Sequence, residues 1–155
     1  MPKANAGTLD RRAVVKTLLS NRGDMLVVTG LGGTCWDCAA AGDSPFNFYL
    51  WGAMGSAAMV GLGLALAQPS RRVVVVTGDG EMLMGLGSLA TIAVEAPKNL
   101  AIAVIDSGHV GATGLQPTHT AAGLDLAAVA SAACTPITMA ARSPSSTAMR
   151  GQTPR

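Results

Sequence analysis

The sequence is poor in aromatic and charged residues. Of its 155 residues, 3% are Phe, Trp or Tyr and 13% are Asp, Glu, Lys or Arg, whereas 49% are hydrophobic. The formal charge of +2 is small, and the basic residues are scattered apart from the pairs Arg11-Arg12 and Arg71-Arg72. The chain therefore lacks the basic patch that binds nucleic acid. So few charges leave much apolar surface, which we expect another protein to cover.

Long apolar runs and a secretion signal are also missing. No positively charged segment leads into an apolar segment near residue 1. The longest apolar stretch, Met54 to Ala67, is short for a bilayer span and contains three glycines. We therefore expect a cytoplasmic protein without a membrane-spanning segment.

Cysteine is scarce, with Cys35, Cys38 and Cys134 as its three copies. The Cys35-Trp-Asp-Cys38 spacing is that of a redox or metal motif. A structural zinc site needs about four ligands, however, and the sequence has no second pair. We interpret these cysteines as ordinary packed or surface thiols and keep a redox or metal role as the alternative.

Strands and helices alternate along the chain. Apolar runs predict strands at 25–29, 45–50, 73–77 and 100–105, and helical spacing predicts helices at 8–22, 34–41, 54–68, 82–95 and 124–133. Thr8 is predicted to cap the first helix, with Asp10 in its first turn.

This alternation predicts an α/β fold of three layers, a parallel central sheet with helices on both faces. We expect residues 1–7 to be a loose leader and residues 8–133 to be the domain. Residues 134–155 are rich in Ser, Thr, Pro and Arg without periodicity, which indicates an atypical, disordered tail. The fold's last unit is expected to be truncated.

The strongest chemical signal is Gly78-Asp79-Gly80, which lies between a predicted strand and a predicted helix. Ligands in such folds bind at the carboxyl ends of strands. Glycines let the backbone turn sharply and approach a ligand, and the free amides of the next helix can bind phosphate. The Asp79 carboxylate could hold Mg²⁺. A simple tight turn is the alternative.

The spacing to the next strand end strengthens this interpretation. Asp106-Ser107-Gly108 follows the strand at 100–105, and Ser107 lies 28 residues after Asp79. One helix and one strand fit into that interval, so the two loops are predicted to lie side by side at one sheet edge.

Gly-Asp-Gly followed by a polar residue after the next strand resembles the signature of the thiamine-diphosphate-dependent enzymes. Three further segments, 47–55, 81–89 and 111–119, are similar to that family's cofactor-facing, metal-helix and substrate-side segments. The resemblance covers about residues 8–133. Within the family it is to the diphosphate- and Mg²⁺-binding domain of the sulfopyruvate and phosphonopyruvate decarboxylases.

The resemblance implies a Mg²⁺ site made of Asp79, Ser107 and the main-chain carbonyl of His109. Where the family has Asn, this chain has Ser107, whose hydroxyl is shorter and a poorer acceptor. Ser107 could reach the ion through water, or the site could be weakened. Asp106 is a further possible donor, although its side chain is expected on the other face of the strand.

The resemblance also implies the cofactor contacts. The loop at Gly78 and the amides of Gly80 and Glu81 would hold the diphosphate, with the Glu81 carboxylate turned away from it. The Gly52 carbonyl would accept a hydrogen bond from the cofactor's amino group, and Met54 would wedge under the cofactor. His119 is the candidate for substrate contact, with a plain loop residue as the alternative.

The function implied is that of a carboxy-lyase subunit that uses thiamine diphosphate and Mg²⁺ on a three-carbon 2-oxo acid. The family's activating Glu lies on a pyrimidine-binding domain, and no acidic residue here lies in a similar segment. We therefore expect a hetero-oligomer with an α-type partner that supplies it. The alternatives are a truncated, non-catalytic module and a plain Rossmann nucleotide-binding regulator, for which Gly30-Leu-Gly-Gly33 is only a motif fragment.

Overall fold

The computed structural model describes residues 9–133 and the strand 137–140. The helices are α1 (Arg11–Leu19), α2 (Gly33–Ala41), α3 (Ala57–Ala67), α4 (Asp79–Met84), α5 (Ser88–Glu95) and α6 (Leu126–Ala132). The strands are β1 (Leu26–Thr29), β2 (Asn47–Tyr49), β3 (Val73–Gly78), β4 (Leu100–Ile105), β5 (His109–Val110), β6 (Gln116–Pro117) and β7 (Ile137–Ala140). Among these residues no helix is both long and apolar enough to cross a membrane.

Five strands form one sheet in the order β2-β1-β3-β4-β7, and every neighbouring pair is parallel. The predicted parallel α/β sheet is confirmed. β7 lies within the tail that was expected to be disordered, so that expectation is wrong for residues 137–140. The segment 137–140 is short and has no strong hydrophobic periodicity, so its sequence did not indicate a strand. It is a strand because it pairs with β4. The other residues from 134 onward lie outside the described residues, as do the leader and Thr8.

The helices cover both faces of the sheet. Val73 and Val75 of β3 pack into a core with residues of α3, α5 and α6. The alternate residues Val74 and Val76 pack on the opposite side with residues of α1 and α2. Because successive side chains of a strand point to opposite faces, one run of valines supplies both cores. The three-layer prediction is confirmed.

The first helix begins two residues later than its pattern suggested. Asp10 precedes α1, and its carboxylate accepts a hydrogen bond of 2.8 Å from the Ala13 amide. Asp10 is therefore the N-cap, and its predicted place in the first helical turn was wrong. A carboxylate suits this position because it pairs with an amide that has no partner within the helix.

The small-residue helix α3 lies against β3. A methyl group at Gly61 would overlap the Val75 side chain, so this glycine permits close helix–sheet packing. A methyl group at Gly63 would meet open space, so this glycine has no such role. The outer side of α3 exposes the apolar side chains of Met59 and Leu66.

The helix predicted over 82–95 is two helices, with a break at 85–87. A methyl group at Gly85 would overlap the carbonyl oxygen of Gly55, which itself has a φ of +95°. The break lets the turn before α3 approach the end of α4. Helical periodicity does not reveal such a contact, because it comes from a residue 30 positions away.

This contact predicts unequal effects of two alanine substitutions. Gly85→Ala should lower the free energy of unfolding by about 1–3 kcal/mol, because its methyl group meets backbone rather than a flexible side chain. Gly87→Ala is the matched control, since nothing lies within 4 Å of its would-be Cβ and its φ is −60°. It should stay within about 1 kcal/mol of the wild type in urea unfolding. Equal destabilisation by both would contradict the close approach at Gly85.

Candidate functional site

The two polar loops meet because β3 and β4 end side by side, with Gly78 opposite Ile105 in the register. The next residues of both strands therefore leave the same edge of the sheet. The Ser107 amide donates to Asp79 Oδ1 at 3.1 Å, and the Ser107 hydroxyl lies 3.3 Å from the same oxygen. The predicted juxtaposition of the two loops is confirmed.

Three oxygens converge at this edge. The Ser107 hydroxyl donates to the His109 carbonyl at 2.9 Å, which brings that carbonyl, the hydroxyl and Asp79 Oδ1 into one cluster. These belong to the three residues predicted as metal ligands. The described residues contain no cluster of three His, Cys, Asp or Glu side chains. An ion here would be held by one carboxylate and neutral oxygens, a donor set that suits Mg²⁺.

The second carboxylate oxygen of Asp79 contacts two threonine hydroxyls. Thr118 donates to Oδ2 at 2.5 Å, and the Thr120 hydroxyl lies 3.2 Å from the same atom. These two contacts leave Oδ1 as the oxygen that faces Ser107. The sequence alone did not single out Thr118 or Thr120 as partners of Asp79. The Thr118-His-Thr120 alternation after Pro117 is the sequence signal that could have indicated two inward side chains.

Asp106 belongs to the same network but faces a different direction. Its Oδ1 accepts from the Gly108 amide at 3.0 Å and the Thr120 hydroxyl at 2.7 Å. It does not line the cavity described below. Asp106 is therefore not among the residues that could replace Ser107 at the cavity wall.

A cavity of about 530 Å³ opens above these loops. Its wall contains most of the residues that the sequence singled out, namely Met54, Gly78, Asp79, Gly80, Glu81, Ser107 and His109. Gly52 and His119 are not part of the wall. His119 is exposed between the buried Thr118 and Thr120, so the structure does not bring it into the site. Because its neighbours turn inward to Asp79, its own side chain is left outside.

Gly80 leaves room that no other residue would leave. A side chain there would place its first carbon 2.8 Å from a methyl group of Val110, on the segment that follows Ser107. The absence of a side chain at Gly80 keeps the start of α4 close to the segment that follows Ser107. The backbone at 78–80 is thereby open to the cavity, as expected of a loop that approaches a ligand.

The Glu81 carboxylate is hydrogen-bonded within the protein. Its Oε1 accepts from the amides of Gly55 and Ala57, each at 3.1 Å, and its Oε2 accepts from the Thr77 hydroxyl. Burial raises the pKa of Glu81, and the two amide hydrogen bonds lower it in part. Glu81 thus ties the start of α4 to the turn before α3.

That turn carries Met54 on the cavity wall. Ala53 adopts a φ of +57°, which is uncommon for a residue with a side chain, and the Gly55 amide that follows is held by Glu81. Met54 is therefore positioned by the loop that also carries Asp79. Gly52 is exposed, with open space around it.

The cysteine pair lies on α2. Cys38 is fully buried, and burial raises its pKa to about 12. A thiol with that pKa is protonated at neutral pH and is a poor nucleophile and metal ligand. The packed-thiol interpretation fits Cys38. Cys134 lies outside the described residues.

Comparison with known proteins identifies the class of protein that has this fold and site. Residues 34–144 match the family model of the thiamine pyrophosphate enzyme C-terminal TPP-binding domain. The match covers well over half of the chain, and the chain belongs to this family. A putative thiamin diphosphate-dependent enzyme from Mycobacterium smegmatis has the same fold, with a TM-score of 0.68 and 23% identity over 82% of this chain and 26% of that one.

Within the family the chain is similar to particular decarboxylases. It is 43% identical to the sulfopyruvate decarboxylase subunit beta of Methanothermobacter thermautotrophicus, over 79% of this chain and 65% of that one. It is 46% identical to the phosphonopyruvate decarboxylase of Streptomyces viridochromogenes, over 84% of this chain and 33% of that one. The chain thus spans less than two thirds of the length of these relatives.

The buried thiol leads to a prediction about chemical labelling. Native chain treated with iodoacetamide at pH 8 should remain unmodified at Cys38, because the thiol is buried and protonated. Cys35 is partly exposed and should react first. Peptide mass mapping distinguishes the two, with the urea-denatured chain as the control in which both react. Rapid labelling of native Cys38 would restore the redox alternative.

Proposed function

We propose that the chain is the diphosphate- and Mg²⁺-binding subunit of a thiamine-diphosphate-dependent decarboxylase of a 2-oxo acid. The observation that carries the proposal is the convergence of Asp79 Oδ1, the Ser107 hydroxyl and the His109 carbonyl at the cavity. The similarity to sulfopyruvate decarboxylase β subunits makes 3-sulfopyruvate the first substrate to test, with sulfoacetaldehyde and CO₂ as products.

Asp79 would supply the negative charge for Mg²⁺, and Ser107 and His109 would supply neutral oxygens. The donor set is hard and has room for phosphate oxygens to complete the coordination of the ion. Thr118 and Thr120 would fix the carboxylate so that Oδ1 is presented and Oδ2 is retained by the protein. The donors fit Mg²⁺ better than a thiolate- or imidazole-seeking ion.

The loop at 78–80 would receive the diphosphate. Gly80 keeps the backbone accessible, and the amides of Gly80 and Glu81 are at the start of α4, where helix amides lack partners. The Glu81 carboxylate accepts the amides of Gly55 and Ala57, which would hold its charge away from the phosphate. Met54 would support the cofactor from the opposite wall, and the exposed Gly52 carbonyl would meet its amino group. Thiamine diphosphate, when bound, supplies the electron sink for loss of CO₂.

The proton-relaying carboxylate would come from a partner. The only carboxylates on the described cavity wall belong to Asp79 and Glu81, and both are engaged within the chain. The segment before Met54 exposes the large apolar side chains of Phe48 (55%) and Trp51 (92%). A pyrimidine-domain subunit that docks there would place its carboxylate beside the cavity and cover this surface. We propose a cytoplasmic hetero-oligomer of the two chains.

Ser107 favours a second candidate, a non-catalytic module that retains the fold. A serine at the position where the family has asparagine gives a shorter ligand, and its hydroxyl is already bonded to the His109 carbonyl. The plain Rossmann regulator is set aside because the chain matches the thiamine pyrophosphate family instead.

The deciding experiment uses the chain copurified with its pyrimidine-domain partner. We expect Mg²⁺-dependent binding of thiamine diphosphate in calorimetry, weak binding by the lone chain, and release of CO₂ from 3-sulfopyruvate by the complex. Asp79→Asn should abolish the Mg²⁺-dependent part of binding, because it removes the ion's carboxylate while keeping the shape. Asp106→Asn is the matched control, a buried carboxylate of the same network that does not line the cavity.

The outcomes separate the candidate functions. Cofactor binding without CO₂ release from any 2-oxo acid would support the non-catalytic module. Binding that survives Asp79→Asn would mean that 78–80 is only a turn. Equally tight binding by the lone chain and the complex would contradict a shared site.

Restoring the family residue tests the metal assignment. Ser107→Asn should tighten Mg²⁺-dependent cofactor binding by about 1 kcal/mol, roughly fivefold, because an amide oxygen reaches further and accepts more strongly than a hydroxyl. Ser107→Ala, which removes the oxygen, should weaken it. Titration of Mg²⁺ at fixed cofactor measures both. Weaker binding by the asparagine variant would remove Ser107 from the proposed metal ligands.

A further inference from the structure

One cationic side chain lies on the cavity wall. Arg11, in the first turn of α1, is the only arginine or lysine among the described residues that line the cavity. It approaches the glycine-rich turn after β1, where Gly32, Gly33 and Thr34 form the wall. The sequence had singled out this turn only as a fragment of a nucleotide motif.

Asp37 of α2 fixes the direction of the Arg11 guanidinium. Nη2 donates to Asp37 Oδ1 at 3.3 Å, and Nε pairs with Oδ2. Asp37 is buried, with 3% of its surface exposed, whereas 40% of the Arg11 side chain is exposed. A carboxylate that holds one edge of a planar guanidinium determines where the remaining nitrogen lies.

The remaining nitrogen lies against the turn. A methyl group at Gly33 would overlap Nη1, so the absence of a side chain at residue 33 is what admits the guanidinium. α2 begins at Gly33, and no side chain caps its first turn. The positive charge of Arg11 and the unpaired amides of a helix start therefore occupy the same part of the wall.

Asp37 does not cancel all of the positive charge. Arg12 Nε lies 3.6 Å from Asp37 Oδ1, so two arginines share one carboxylate. Arg12 is 79% exposed in its side chain and does not line the cavity. The group of two arginines and one carboxylate therefore keeps a net positive charge, and Arg11 is its only member that lines the cavity.

We propose that Arg11 binds a tetrahedral phosphoryl or sulfonyl oxyanion in this cavity, with Asp37 as its positioning residue. The inference deepens the proposed function and rests on it, since both the cofactor's diphosphate and the acid group of a sulfonated or phosphonated substrate have this chemistry. With Nε and Nη2 engaged by Asp37, Nη1 remains to donate a charge-assisted hydrogen bond to an oxygen of such a group.

The test measures the binding of two probes to the full chain. The probes are inorganic diphosphate with Mg²⁺, and methanesulfonate. Binding is followed by the fluorescence of Trp36, which lines the cavity, in a Trp51→Phe background, because these are the two tryptophans of the chain. Arg11→Gln should weaken at least one probe about tenfold or more. Arg12→Gln, the matched control, removes an equal charge beside the same carboxylate and should change binding less than about twofold.

Two further variants guard against a folding defect. Arg11→Gln leaves the buried Asp37 carboxylate with only Arg12 as its partner. Probe binding by the double variant Arg11→Gln/Asp37→Asn is therefore compared with probe binding by Asp37→Asn alone. Thermal unfolding of every variant is followed by circular dichroism. Gly33→Ala should weaken the same probe without removing a charge, because it displaces Nη1.

Each outcome decides the inference. Loss confined to diphosphate assigns Arg11 to the cofactor, and loss confined to methanesulfonate assigns it to the substrate's acid group. Equal effects of Arg11→Gln and Arg12→Gln on both probes overturn the inference, even where the wild type binds thiamine diphosphate normally. Arg11-dependent binding of methanesulfonate by the chain, where the complex of the chain with its partner binds no thiamine diphosphate, retains the anion site and overturns the proposed function. A wild-type chain that binds neither probe overturns the inference.

Discussion

The buried carboxylate of Asp79 is the constraint on which the site depends. A carboxylate that is 1% exposed must find donors within the protein, and Asp79 finds them on Ser107 and Thr118, with the Thr120 hydroxyl 3.2 Å from the same oxygen as Thr118. These residues follow β4 and the β5–β6 hairpin, so one side chain ties two loops to the end of β3. The same contacts orient the carboxylate. Two threonine hydroxyls retain one of its oxygens, and the other faces the Ser107 hydroxyl, which in turn is bonded to the His109 carbonyl.

Glu81, two residues further, fixes the other side of the loop. Its carboxylate accepts the amides of Gly55 and Ala57, which ties the Met54 turn to the start of α4. The contact between Gly55 and Gly85 holds the same turn at the other end of α4. Two carboxylates with separate sets of partners thus position the two walls of the cavity. Burial raises the pKa of Glu81, and the amides that it accepts offset part of this cost.

Under the proposed function, the cavity is one part of a larger site. Both carboxylates on its described wall are bonded within the chain, so neither is free to relay a proton. The chain spans 65% of the length of a β-subunit relative and 33% of a longer decarboxylase. Phe48 and Trp51 present exposed apolar surface on the segment that leads to Met54. Under the proposed function, another chain would complete the site and cover this apolar surface.

The sequence by itself determined the layered fold and the central loop. Continuous valines in Val73–Val76 predict a strand buried on both faces, and a Gly-Asp-Gly segment after it with a polar residue 28 positions later predicts two adjacent loops. These inferences depend on periodicity and chain order, which are local properties. Tertiary structure alone decided the rest. The break at Gly85, the inward Thr118 and Thr120, the outward His119, the strand at 137–140 and the place of Arg11 all depend on contacts between distant segments. The pairs Arg11–Asp37 and Asp79–Thr118 are separated by 26 and 39 residues, and no local pattern encodes which side chain such a partner will meet.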